Sequence, residues 1–373
     1  MTEMHEQTPS GRSVQACGGG ASLEDYPPPP ATSGEILLGL LSSPNIAGWR
    51  WLQEQPERGA AAAVSGIDAG LLSADGGRPG IVLCTVGTGP RCSLSPYRGG
   101  KEAVAEAALT VSCLGATPVA STYYLSGPSP RQGAVALPLA DIVSGVVESC
   151  TALGSPPAAG DAFFTNDVPG EPGLLSLVTT VLGLLGGTAR GGGAHFAREG
   201  DAVVLLGDAI PQIDGSEYQR RWFGRMEGII PDVDLRVEAN LQQVVREAVA
   251  TGVVRSARSC GRGGLAVALA ECCLGGMGVR LNLDRIPGAA PAYGGARADV
   301  ALFGEAATRA VLSLAPERVD DLERLCAAGE IPLIALGHVG GDSLAFEIRG
   351  EQVGVAVLAL QEVRTWGLTE AGA

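Results

Sequence analysis

The chain has 373 residues, 46% of them hydrophobic, with a formal charge of -14, 55 glycines, 24 prolines and 4% aromatics. That length and apolar content allow two buried cores and exclude disorder for most of the chain. The acidic balance excludes a nucleic-acid groove or an anionic membrane surface, since either needs clustered Lys and Arg.

Residues 1–33, through the four-proline run, carry too little apolar surface to offset chain entropy and are expected to form a disordered tail. Order is expected from residue 34, because Ile36, Leu37, Leu40 and Leu41 recur at helical spacing until Ser43-Pro44 breaks the run. GIVLCTV from Gly80 reads as a buried strand, and Lys101 to Leu114 as a helix with Val104, Ala107, Ala108 and Val111 on one face and Gly115 as its stop. A second helix is expected from Leu139 to Leu153, with Ile142, Val143, Val146 and Cys150 inward, followed by a long strand in LLSLVTTVLGLL.

Gly-rich GGTARGGGAHFAREG separates this unit from a second one. Strands are expected at 202–207, Val279 to Leu283, Ala310 to Leu314 and Ile331 to Leu336, and helices at Leu235 to Val249, Leu265 to Leu274 and Glu317 to Ala327. The expected class is mixed α/β (α+β), with helices covering sheets in two modules. Nine cysteines without C-x-x-C spacing read as buried thiols. No apolar run reaches the roughly 18 residues of a membrane span, and no signal peptide is evident, so a cytoplasmic location is expected.

Seven segments in order resemble the C-terminal half of phosphoribosylformylglycinamidine synthase, of the aminoimidazole ribonucleotide synthetase-like superfamily. They are LLSSPNIAGWRW, SPYRGGKEAVAEAA, LGATPVAST, IDGSEYQRRWFG, GRGGLAVALAECCLGGMG, LFGEAATRAVLSLAPE and IALGHVGGDSL, spanning residues 36–365. The resemblance implies a two-domain PurM-like fold. An A-type domain over 34–195 would lend its sheet to an inter-subunit β-barrel, and a B-type αβ domain would occupy 196–373. It also implies ATP and magnesium as cofactors and an ATP-dependent, amidine-forming ligation in purine synthesis. A lone half leaves the barrel sheet open. The implied partner is therefore a second copy or an N-terminal-half homologue, with a glutaminase subunit as a further candidate and no role for nucleic acid or membrane.

By those motifs, the family's nucleotide-contacting Asp falls on Tyr123, its Gly is kept as Gly160, its metal-binding Asn becomes Asp161 and its substrate-contacting Ser becomes Phe163. Asp161 is the stronger magnesium ligand, since hard cations select charged oxygens. Lys101 and Glu102 would lie beside that site or form a plain solvated helix start. The H-D-x-S-D-G-G stretch reads Arg258, Ser259, Cys260, Gly261, Arg262, Gly263, Gly264. Arginines ahead of a Gly-Gly helix start suit a phosphate or carboxylate; the competing reading leaves Arg258 and Arg262 solvated or paired with nearby acids. Ser216 and Glu217 either meet a ligand or cap the helix that follows, and Glu305 and Arg309 either border a cleft or link the domains. His5, His195 and His338 read as structural or incidental, and no catalytic residue is assigned. With those replacements three functions stay open: a ligase or ligase subunit with an altered substrate, a non-catalytic structural or regulatory partner of a synthase half, and a small-molecule kinase.

Overall fold

The structure, a computed structural model, describes residues 26–46, 69–72, 80–129, 133–165, 174–186, 192–289 and 297–370. Thr32 caps helix α1 (Ser33–Leu41): its hydroxyl accepts the Glu35 N–H and the Glu35 carboxylate accepts the Thr32 N–H, so two donors at the helix start are satisfied reciprocally. Ile36, Leu37, Leu40 and Leu41 are buried, which stabilises the fold by about 1.5–3 kcal/mol each relative to exposure. The expected tail is too long at its C-terminal end. Tyr26 is buried, its ring edge-on to Phe223 at 5.1 Å and its hydroxyl accepting from Gln219 at 2.6 Å. Residues 1–25, with His5 and Cys17, lie outside the described residues.

The first unit contains β1 (Ala69–Leu72), β2 (Ile81–Gly87), α2 (Gly89–Leu94), α3 (Pro96–Cys113), β3 (Thr117–Pro128), α4 (Gly133–Ala152), β4 (Pro157–Thr165) and β5 (Ser176–Leu184). Its strands lie in the order β1-β2-β5-β3-β4, antiparallel except for the β3–β4 pair. In β5, Leu177, Thr179 and Val181 are buried under the helices, while Val178, Thr180 and Leu182 between them face the other way. That alternation marks a sheet covered on one face. The other face carries Thr85, Tyr124, Phe163 and Leu184, all exposed. Helix α4 starts earlier than its apolar spacing suggests, and Val143 points outward at 36% exposure, because Ile142, Val146 and Cys150 already fill the inward stripe.

The second unit adds β6 (Ala202–Leu206), α5 (Glu217–Phe223), α6 (Leu235–Ala250), β7 (Ser256–Ser259), α7 (Gly264–Cys273), β8 (Val279–Asn282), α8 (Ala298–Phe303), β9 (Ala310–Leu314), α9 (Val319–Gly329), β10 (Leu333–Val339), β11 (Ser343–Ile348), β12 (Glu351–Ala356) and α10 (Val357–Glu370). The sheet order is β12-β11-β8-β10-β6-β9-β7, with only β8 and β11 parallel. Strands β6 and β9 are buried at every residue, since α7 packs on one face of the sheet and α6 with α9 on the other.

Helix α3 joins the two units. Val104, Ala107, Ala108 and Val111 enter the core under the first sheet as expected, but Leu109 and Cys113 enter the second unit's core beside Val244, Val245 and Leu312. A helix apolar nearly all round is buried all round. Its two acids, Glu102 and Glu106, are consequently held at the seam between the units. Every cysteine among the described residues is buried, and no helix among them is long and apolar enough to cross a membrane.

Candidate functional site at the seam between the two units

A cavity of about 390 Å³ opens at that seam, within the size range of small-ligand pockets. Strand β2 contributes Cys84 to Gly87, α3 contributes Glu106, Thr110 and Cys113, and the second unit contributes Ala257 to Ser259, Gly261, Arg262, Ala268 and Glu271. Pro44, Asn45 and Ile46, just after α1, close one side. Asn45 is held there by a hydrogen bond to the Glu217 carboxylate at 2.9 Å.

The two arginines at this loop have different surroundings. Arg258 is buried in an ion pair with Glu271, which also accepts from Arg364 at 2.8 Å. Arg262 donates one Nη2 bond to the Gly87 carbonyl. Opposite them Thr110 shares a 2.9 Å hydrogen bond with Ser259. Glu106 makes no side-chain hydrogen bond among the described residues; burial pushes its carboxyl up to about 7, with Arg262 pulling the other way.

Behind the cavity lies a buried charged hub centred on Glu305. Its Oε1 accepts the Gly263 N–H at 2.9 Å and the Glu217 N–H at 2.8 Å, so one carboxylate caps the starts of both α7 and α5. Gly263 and Gly264 have φ of 75° and 74°, left-handed values that glycine adopts without strain, and this turn aims the Gly263 N–H at Glu305. The Oε2 of Glu305 accepts from Arg91 at 3.0 Å, and Arg91 also grips Glu102 through two bonds of 2.5 and 2.6 Å. Although burial opposes its charge, Arg91 is held protonated by Glu102 and Glu305. The helix start expected to attract a ligand anion therefore already holds an internal one.

The remaining candidates are distributed around this hub. Ser216 caps α5 by accepting the Gln219 N–H at 3.0 Å, whereas the Glu217 carboxylate accepts from Ser43, Asn45 and Arg220. These bonds hold Glu217 below the usual carboxylate range despite its burial. Arg309 is fully buried; it donates to Gly304 O at 3.3 Å, and its Nε and Nη1 have no hydrogen-bond partner among the described residues. Lys101 and Glu102 are not a solvated helix start. They lie in the second turn of α3, with Lys101 buried 3.0 Å from Asp232 and Glu102 paired with Arg91.

Tyr123, Gly160 and Asp161 lie together on β3 and β4, apart from the cavity lining. Tyr123 is directly opposite Gly160, and a Cβ at residue 160 would stand 2.3 Å from the Tyr123 ring, so the glycine is the seat of that ring. Asp161 is exposed beside it, one oxygen accepting the Ala162 N–H at 2.8 Å. Among the described residues no group of three or more His, Cys, Asp or Glu is placed to hold a metal ion. Asp161 offers one exposed carboxylate, and magnesium takes its remaining oxygens from waters and phosphates.

Glu106, Thr110, Arg91 and Asn45 were not singled out from the sequence. Glu106 had a signal, as a lone acid in the apolar run AVAEAALTV; Arg91 had none, because its partners are distant in the chain. His195 is half-buried with Nε2 unpartnered among the described residues, and burial with the Arg258 charge lowers its proton affinity; His338 is exposed on β10.

Residues 66–185 match the family described as AIR synthase related protein, N-terminal domain, and residues 198–348 match AIR synthase related protein, C-terminal domain. The phosphoribosylformylglycinamidine synthase subunit PurL of Moorella thermoacetica is 37% identical over 327 residues, which are 87% of this chain and 43% of that protein. The PurL subunit of an Anaeromyxobacter species is 36% identical over 344 residues, 89% of this chain and 44% of its own length. Of solved structures, T. maritima PurL complexed with FGAR superposes with a TM-score of 0.73 at 18% identity, covering 89% of this chain and 54% of that one. A chain of the HypE-HypF complex gives 0.59 at 17% identity, over 82% of this chain and 97% of that one. The chain spans under half the length of the Moorella and Anaeromyxobacter PurL subunits.

Proposed function

The chain belongs to the AIR synthase related family and is PurL-like over most of its described length, and from that premise we propose that it is one half of an ATP-dependent C–N ligase of the synthase kind. The observation that carries this reading is the ligand-sized cavity at the seam, where strand β2, the AVAEAA helix and the GRGGLA turn converge from two units. In this proposal the first unit is the A-type domain and the second the B-type domain, dividing near residue 195. The exposed face of the five-stranded sheet, with Tyr124, Phe163 and Leu184, receives either a second copy or an N-terminal-half homologue. A glutaminase subunit would supply ammonia, and ATP and magnesium would activate an amide or carboxylate substrate in purine synthesis or a related pathway.

Within that assembly this chain's residues bind and orient a ligand, exclude water through Ile46, Val86 and Ala268, and hold a proton at Glu106. Light scattering combined with ATP titration in magnesium tests the proposal. A chain that self-associates or captures the other half and binds ATP is expected; a monomer that binds neither ATP nor a partner overturns it. A second reading, a non-catalytic structural or regulatory partner, is favoured by the Tyr123 ring seated on Gly160 where the family has a nucleotide-contacting acid. Turnover that survives in the assembled complex when Glu106 is replaced by Gln would support that second reading.

A further inference from the structure

The cavity at the seam carries two guanidinium groups and two carboxylates, and they are not equivalent. Glu271 pairs with both Arg258 and Arg364, one carboxylate between two guanidinium groups. Arg262 spends one donor on the Gly87 carbonyl, and the rest of its five N–H donors have no protein acceptor among the described residues. Beside it stands Glu106. Its carboxylate lies against Gly261, where a Cβ would stand 2.7 Å from Oε1.

Four charges act on Glu106: Arg262 from the β7–α7 loop, Glu102 from α3, Glu305 from the segment after α8, and Arg91 from α2, while Glu238 from α6 and the paired Arg258 and Glu271 line the same cavities. Burial and the two glutamates favour its protonated form, while the two arginines favour the anion, and the balance lies near 7. A guanidinium with open donors beside a carboxyl that can accept a proton is a receptor for an oxyanion. The arginine supplies charge-assisted donors, and the protonated carboxyl supplies a further donor where a carboxylate would repel. Ile46, Val86 and Ala268 give the same cavity an apolar wall, so there is room for an organic body as well as the anionic group. Arg262 brings a fixed positive charge with open donors to that group.

We propose that this cavity binds a small organic phosphate or carboxylate directly through Arg262, without a divalent metal, and that Glu106 takes a proton from solvent as the anion enters. The proposal rests on the reading above only in taking the cavity as a ligand site. It does not need the chain to assemble or to turn over.

Calorimetric titration of the full chain with ADP, and separately with inorganic phosphate, in excess EDTA tests it. Saturable binding is expected without magnesium, up to about tenfold tighter near pH 6 than near pH 8, with proton uptake read from buffers of different ionisation heat. Arg262→Ala should weaken binding by at least about tenfold and Arg262→Lys by less, whereas Arg236→Ala, a surface arginine, should leave it unchanged. Glu106→Gln should bind with a shallower pH dependence, only the ionisation of the probe's own phosphate remaining, a readout that stands even if Arg262→Ala fails to fold. ADP binding alone identifies a nucleotide as the source of the anion, and phosphate binding as well identifies the oxyanion itself; either supports the proposal. No binding of either probe in EDTA, binding that appears only with magnesium, or undiminished affinity in a folded Arg262→Ala chain overturns it. A chain that binds ADP in EDTA but neither self-associates nor captures the other half fails the ligase reading alone.

Discussion

Replacing Glu305 by Ala removes three buried hydrogen bonds at once: those from Gly263 N at 2.9 Å, Glu217 N at 2.8 Å and Arg91 Nη1 at 3.0 Å. Each buried N–H left without an acceptor costs about 1–3 kcal/mol. Arg91 keeps both bonds to Glu102, so its loss is well below the roughly 3–5 kcal/mol of a fully broken buried pair. Glu305 is itself burdened by burial, which raises its proton affinity, and removing it returns part of the cost. The net expectation is a loss of about 3–5 kcal/mol, which for a unit of this size lowers the thermal midpoint by roughly 10 °C. Glu305→Gln retains an acceptor for the helix starts but presents amide donors toward Arg91, and should cost about 1–2 kcal/mol. Thermal unfolding measures the size of the effect, and amide hydrogen exchange at Gly263 and Glu217 measures its location. A midpoint within about 3 °C of the parent, or unchanged protection at those two amides, would refute the hub that links the two helix starts to the first unit.

Glu106 should make stability depend on pH in a defined direction. Its folded-state value near 7 lies above the ordinary 4.5, so the fold loses stability as pH rises from the lower value to the higher and stays lower beyond it. Glu106→Gln should abolish that slope and raise stability near pH 8 by on the order of 1–2 kcal/mol; equal midpoints for parent and variant near pH 8 would sink the idea. Gly160→Ala brings a Cβ to 2.3 Å from the Tyr123 ring and should cost about 1–3 kcal/mol. Adding Tyr123→Ala should recover part of that cost, and strictly additive losses in the double variant would count against the contact. Arg309→Met replaces a fully buried cation whose Nε and Nη1 lack partners among the described residues, and should be neutral or stabilising by up to about 2 kcal/mol. A destabilisation beyond about 2 kcal/mol on thermal melting would mean that the guanidinium is satisfied by contacts stronger than its 3.3 Å bond to Gly304.

The sequence by itself determined the elements whose signal is local. Strand β6 is a continuous apolar run and β9 is one but for Ser313, helices α6 and α9 carry an apolar stripe and α7 is apolar but for Glu271, and all were readable from periodicity and composition. The order of motifs also gave the family, because seven short segments in fixed succession carry information that no single segment does. Strands β3 and β4 were not identified as strands: TPVASTYYLSGP and PAAGDAFFT mix small, polar and aromatic residues, and their extended form is settled by pairing with each other and with β5.

Only the tertiary structure decided what the charged side chains do. Arg91 meets Gly215 and Glu305, 124 and 214 residues away, and Glu305 in turn fills the helix start that local reading left open to a ligand. Arg258 and Arg262 are nearly adjacent in the chain, yet one is consumed by Glu271 and the other borders an open cavity beside Glu106. Hydrophobic periodicity is a property of neighbours along the chain. The partner of a buried charge is a property of neighbours in space, set here by a helix packed between two sheets.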